Sequence, residues 1–270
     1  MKKQKYTIPS LSIVVPLHNE GDFVVSQMKK LYKQLRQSPS KNYEIILAEN
    51  GSSDDTYQKC KALAKKYKYI RVITSDSANK GVAMQQAFLK AKKQLIVQFD
   101  LDLIDISFVK KILRFYNGYD FFIGSKSLGK DERPFARKLM STIFGLLLQI
   151  IFKYKGTDTH GVLGFKRSAL LSIIKELPVT PLYYDTSILL AAADMGYHIK
   201  ELPIRVKEMR PTRFALFTRV LHTIIDLFYL ILIKHAGWKK PVIGFNIENK
   251  AKFTRYEKRL MNLKFHLPFL

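Results

Sequence analysis

Across residues 11–123, short β-rich runs alternate with patterns of helical period, and this alternation constrains the fold more than any other feature. The first run, Leu11-Ser12-Ile13-Val14-Val15, is followed by Val24, Met28, Leu31 and Leu35, one apolar face of a helix. Residues 43–48 read as a second buried strand, and Tyr57, Cys60, Leu63 and Tyr67 mark a second helix face. A third strand over 70–74 precedes Met84, Ala87, Phe88 and Ala91. A fourth over 95–99 runs directly into Asp100, and Phe108, Ile112 and Tyr116 then lead to a strand at 121–123. Such a chain must use right-handed crossovers, which gives an α/β fold: a mostly parallel, Rossmann-like sheet with helices on both faces. In these sheets ligands bind at the carboxyl ends of the strands.

The polar motifs fall at those ends. His18-Asn19-Glu20 follows the first strand, Glu49-Asn50-Gly51 the second, Asn79-Lys80-Gly81 the third and Asp100-Leu101-Asp102 the fourth. Two carboxylates just past a buried strand are unfavourable unless hydrated or bound to cations. A divalent metal, Mn²⁺ or Mg²⁺, bridging Asp100 and Asp102 to a diphosphate would satisfy them. The competing reading is a solvated or helix-capping Asp pair. Glu49 to Thr56 also reads as N-capping chemistry at a strand-to-helix turn. Capping explains Ser53 and Asp54, but not the polar pair Glu49-Asn50.

The second half differs in character. Residues 141–152 are almost wholly apolar, and residues 214–233 form a second apolar stretch interrupted by Arg219, His222 and Asp226. Those charges argue against a simple membrane span and favour amphipathic helices in the membrane interface. A buried core helix or a homo-oligomer contact is the alternative. Lys and Arg outnumber Asp and Glu by 46 to 22, a formal charge of +24. That field attracts phosphates on nucleotides, nucleic acid or an anionic membrane surface. No helix-turn-helix, zinc or RNA-binding signature accompanies it, so a specific nucleic-acid partner is not expected. A single cysteine, Cys60, excludes a disulfide framework, and the charged, apolar-poor first nine residues do not read as a secretory signal. The expected organisation is a basic tail over 1–9, a catalytic domain over 10–210 and an apolar helix with a basic tail over 211–270, working at the cytoplasmic side of the plasma membrane.

As a set, the motifs Val15-Pro16-Leu17-His18-Asn19-Glu20, Glu49 to Thr56, Asn79-Lys80-Gly81-Val82-Ala83, Asp100-Leu101-Asp102, Ile123-Gly124-Ser125-Lys126, Asp158-Thr159-His160-Gly161 and Gly196-Tyr197-His198-Ile199-Lys200-Glu201-Leu202-Pro203-Ile204 resemble glycosyltransferase family two. The likeness covers about residues 10 to 235, and within the family it is greatest to the polyprenyl-phosphate sugar synthases. It implies the GT-A fold and an inverting transfer of a hexose from a UDP- or GDP-linked donor. Pro16, His18, Glu20 and Glu49 would line the nucleoside pocket, joined by Asn79 and Gly81. Asp100 and Asp102 would meet metal and diphosphate; Lys126, Arg210 and Arg213 would meet phosphates.

This sequence departs from the family pattern at three points. Glu49-Asn50 replaces the usual Asp-Asp, Ile104 stands where relatives carry a third metal-facing group, and Ser187 replaces a common Glu. No Q-x-x-R-W motif marks a processive polysaccharide synthase. A glycan or glycolipid hydroxyl acceptor would need a carboxylate base, for which Asp185 and then Asp158 are the candidates. A polyprenyl-phosphate acceptor, already an anion, would not. A turn-capping Asp158 and a locally packed His160 are equally compatible with the sequence. A non-catalytic scaffold is a third reading, suggested by Glu49 and Ile104.

Overall fold

The computed structural model describes residues 8–75, 79–179, 184–207 and 216–238, the last stretch with side chains only at 224 and 227–238. Four parallel strands come first: β1 (Leu11–Leu17), β2 (Tyr43–Asn50), β3 (Ile70–Ser75) and β4 (Leu95–Gln98). They are joined by α1 (Gly21–Leu35), α2 (Thr56–Lys66) and α3 (Lys80–Lys90). After α4 (Ile106–Phe115), the chain adds β5 (Phe121–Asp131), α5 (Phe135–Phe152), β6 (Leu163–Lys166), α6 (Arg167–Ile174), α7 (Tyr184–Asp194), β7 (Ile199–Val206) and α8 (Leu216–His235). The sheet order is β3-β2-β1-β4-β6-β5-β7, with β6 antiparallel to both its neighbours.

Side-chain alternation explains the layers. In β1, Leu11, Ile13, Val15 and Leu17 join α1, α2 and α4 in one cluster, while Val14 joins α3, α6 and α7 on the other face. β1 is buried on both faces, which is why it reads as an apolar run interrupted only by the buried Ser12. It has β2 on one side and β4 on the other, so the strand order reverses there and a crevice opens beyond its carboxyl end.

Four strands run past their sequence-expected ends, β1 to Leu17 and β3 to Ser75 among them. β2 continues to Asn50, where Glu49 pairs in register with Leu17 and Thr74. β5 continues to Asp131 along β7, with an irregularity between Ser125 and Lys130. That extension is polar and largely exposed, so no hydrophobic alternation announced it. Conversely β4 stops at Gln98, one residue short of the expected Phe99.

α5 begins at Phe135, just after Pro134, and presents Phe135, Leu139, Ile143, Leu146 and Ile150 to the outside. Among the described residues it is the one helix long and apolar enough to cross a membrane, with 11% of its residues buried. α8 is partly core: Leu230 and Ile233 are buried, as is Trp238 just beyond it, whose Nε1 donates to Asp194 Oδ2 at 2.9 Å. Ile224 and Phe228 of the same helix stay exposed.

Candidate active site

The turn after β1 interlocks with the turn after β2. Asn19 adopts a left-handed φ of 53°, a conformation Asn tolerates better than most residues. Its Oδ1 accepts from Ser53 N at 2.9 Å, and its own N–H donates to Ser52 Oγ at 3.0 Å. His18 Nδ1 lies 2.8 Å from Asn50 O, and Glu20 N donates to Thr56 Oγ1 at 2.7 Å. Pro16 pairs with Ala48 inside the sheet. Glu49 is buried and accepts from Ser52 N at 2.6 Å and from Thr74 Oγ1 at 2.7 Å. Burial pushes its carboxyl pKa up, but these hydrogen bonds outweigh burial and hold it below the usual range. A longer Glu in place of Asp thus reaches back into its own turn. Asn50 Oδ1, buried beside it, has no hydrogen-bond partner among the described residues.

At the end of β4 a charged cluster gathers from three elements. Asn79 caps α3, its Oδ1 accepting from Val82 N at 3.1 Å, and Gly81 is buried in the first turn. This fixes Lys80 at the mouth of the crevice. Its Nζ stands 3.6 Å from Asp100 Oδ1 and 3.5 Å from Asp185 Oδ2, on the first turn of α7. Gln98 Nε2 donates to the same Asp185 oxygen at 2.9 Å. Asp185 is only 2% exposed, and its Oδ1 and the Gln98 Oε1 are buried without partners among the described residues. Burial raises the Asp185 pKa, opposed by Lys80 and Gln98 and reinforced by Asp100. Burial works against the Lys80 charge, yet the two carboxylates outweigh it and hold the ammonium above its usual range.

A second cluster is closed. Lys126 Nζ is 2.7 Å from Asp158, and the same ammonium donates to His160 O at 3.2 Å. Asp158 also accepts from Thr159 N at 3.0 Å and His160 N at 3.3 Å, so it caps its own turn. Glu201 of β7 holds this loop from outside, accepting from Thr157 N at 2.5 Å and Thr157 Oγ1 at 2.8 Å. His160 contacts Thr159 and Thr186 through its two ring nitrogens and packs against Phe144. Burial first, then the nearby Lys126 and Lys80, press its pKa down to about 3, so it is neutral.

Asp102 and Ile104 follow β4 on the turn, both half-buried. Among the described residues no three His, Cys, Asp or Glu side chains converge to hold a metal. The sequence candidates Asp100 and Asp102 would give a donor set of two carboxylates. That set fits Mg²⁺ or Mn²⁺ sharing its shell with diphosphate oxygens and water, and not a cage made by protein alone. Arg210 and Arg213 lie outside the described residues. Sequence reading named Lys80 only as part of a turn and passed over Gln98. The signal for Gln98 was there: a polar residue closing the apolar run Leu95-Ile96-Val97.

A crevice at the strand-order reversal, with Asp100, Asp185 and Lys80 at its mouth, on a sheet of this topology is the arrangement of the GT-A fold. Residues 12–175 match the model of glycosyl transferase family 2, and the chain belongs to that family. It is 26% identical over 267 residues to the dolichyl-phosphate beta-glucosyltransferase of Homo sapiens, covering 88% of this chain and 82% of that one. It is likewise 26% identical over 219 residues to glycosyltransferase AglD of Haloferax volcanii, but there it spans only 35% of the relative's length and 78% of its own. The fold is shared with mannosyl-3-phosphoglycerate synthase of Rubrobacter xylanophilus, at a TM-score of 0.65 and 16% identity over 89% of this chain and 79% of that one. Glucosyl-3-phosphoglycerate synthase of Mycobacterium tuberculosis, solved with Mn²⁺, UDP-glucose and phosphoglyceric acid, gives 0.62 and 19% over 83% and 80%.

Proposed function

We propose that this enzyme transfers a hexose, with inversion, from a UDP- or GDP-linked donor to a polyprenyl phosphate at a membrane surface. The convergence of Lys80, Asp100 and Asp185 in one crevice supports the reading, because an ammonium there could meet a leaving diphosphate and a carboxylate could hold its metal ion. The names of the dolichyl-phosphate glucosyltransferases supply the acceptor class and make glucose the first sugar to test. The nucleoside would lie against Pro16, His18, Glu20 and Glu49, with Asn50 offering an unused acceptor. Asn79 and Gly81 would bring the amino end of α3 towards the diphosphate.

Asp100 and Asp102 would hold a divalent ion, which neutralises charge on the leaving diphosphate. A phosphate acceptor arrives ionised, so Asp185 keeps the neighbouring ammonium in place; for a hydroxyl acceptor it would serve as general base. Lys126, with Arg210 and Arg213, remains a candidate for acceptor phosphate, though its charge is balanced by Asp158 in the free enzyme.

The exposed apolar face of α5, with Ile224 and Phe228 of α8, would rest on an anionic bilayer, the active face on the cytoplasmic side. The same face is also where a homo-oligomer would form.

Incubating the protein with UDP-[14C]glucose or GDP-[14C]mannose, Mn²⁺ and short-chain polyprenyl phosphate in anionic vesicles tests the proposal. Label in the lipid phase is the expected result. Labelled glycolipid hydroxyls with unlabelled polyprenyl phosphate would move the enzyme to the alternative acceptor class. Replacing Leu146 and Ile150 by Asp should release the protein from the vesicles.

A further inference from the structure

We infer that Lys80 is a positioning residue that balances the charge of Asp100 until the donor arrives, so that the divalent ion enters together with the diphosphate and not ahead of it. The inference rests on the reading of this crevice as the donor site. Three observations carry it. Lys80 Nζ lies between two carboxylates at 3.5 and 3.6 Å, within ion-pair range of both and tightly docked on neither. Its side chain and that of Asp100 are each 34% exposed, so both face the crevice, whereas Asp185 is buried behind them. Among the described residues no third His, Cys, Asp or Glu side chain joins a pair here to complete a metal cage, so a cation would depend on few carboxylates and on its nucleotide partner.

The physical consequence follows from charge. A free divalent ion approaching Asp100 meets an ammonium already paired with that carboxylate, and like charges this close repel even near solvent. A diphosphate adds negative charge that attracts the ion and the ammonium alike. Asp185, buried and fixed by Gln98, anchors Lys80 close enough to contact the phosphate without leaving the site. Metal and nucleotide should therefore tighten each other's binding, and by linkage the enhancement is equal in both directions. Lys80 does not replace the ion in this scheme; it sets the order in which charges assemble.

The test is Mn²⁺ binding to the full chain without nucleotide, read from the electron paramagnetic resonance signal of free Mn²⁺. Lys80→Gln should bind Mn²⁺ about tenfold more tightly than the wild type, and Lys80→Arg should behave as the wild type. Calorimetry with UDP and with GDP, each with and without Mn²⁺, should show strong mutual enhancement in the wild type and a smaller one in Lys80→Gln. Equal or weaker Mn²⁺ affinity in Lys80→Gln overturns the inference. If circular dichroism shows that this variant does not fold, the Lys80→Gln/Asp185→Asn pair, which also removes the dependent buried charge, is measured against Asp185→Asn alone with the same criterion. Should neither nucleotide bind any form, the donor-site reading fails, while the Mn²⁺ comparison still decides the role of Lys80.

Discussion

Two lysine–carboxylate groups stand at the site end of the sheet, and they are built in opposite ways. Lys126 and Asp158 form a closed knot: 2.7 Å apart, 12% and 10% exposed, with further hydrogen bonds from the surrounding backbone. Lys80, Asp100 and Asp185 form an open one, with longer separations and a buried carboxylate oxygen lacking any partner among the described residues. A fully satisfied buried pair contributes mainly order, because its groups have nothing left to give. An incompletely satisfied pair beside solvent retains capacity for another charge. On the proposed function, the contrast favours a structural part for the first group in the free enzyme and a chemical one for the second.

The largest effect that would break this division is on catalysis. Changing Asp100 and Asp102 together to Asn should slow sugar transfer by about 10²–10³-fold with the fold intact, because leaving-group stabilisation is lost. A loss below tenfold would remove the DXD triplet from the site.

In the closed group the effect should fall on stability. Asp158→Asn strands the Lys126 charge and should cost about 3 kcal/mol, lowering the melting temperature by several degrees. An unchanged melting temperature with a collapsed transfer rate would make Asp158 a participant in the reaction.

Asp185→Asn should be milder still: less than about a tenfold loss of transfer to polyprenyl phosphate, since such an acceptor needs no base. A loss of a hundredfold or more would assign the base to Asp185 and a hydroxyl to the acceptor.

The last effect, a stability loss absent at neutral pH and growing only on acidification, concerns His160. Its folded pKa, near 3, lies below the ordinary value of 6.5, so the unfolded chain binds the proton more readily. Its contribution is therefore fully present above about pH 6.5 and is lost as pH falls towards 3. Denaturant titrations from pH 7 to pH 4.5 should show a shallower decline for His160→Gln than for the wild type. Parallel curves would mean that the imidazole is not buried in its neutral form.

Much of the first half was legible because it is locally encoded. The runs before His18, Glu49 and Asp100 are mostly apolar and buried on both faces, the helices between them carry one apolar stripe each, and the motifs sit where strands end. The second half was less legible for reasons particular to its residues. The end of β5 is mostly polar and pairs with β7, so its strand character comes from a partner far along the chain, Lys130 lying opposite Arg205. Asp158 and Asp185 looked alike as carboxylates near a site. Which of them is capped by its own turn and which is left with an unpartnered oxygen depends on Lys126, Glu201, Gln98 and Lys80, contributed by four different strands and helices.

The sequence by itself determined the alternation of strands and helices, the helices' apolar faces and the family, since these depend on periodicity and on motifs local in the chain. The tertiary structure alone decided the pairing of charges: Lys80 shared between two carboxylates, Lys126 consumed by Asp158, and Glu49 turned back into its own loop. The physical reason is distance. Coulomb and hydrogen-bond energies depend on ångström separations in space, and residues 80, 100 and 185 acquire theirs only when the sheet brings their elements together.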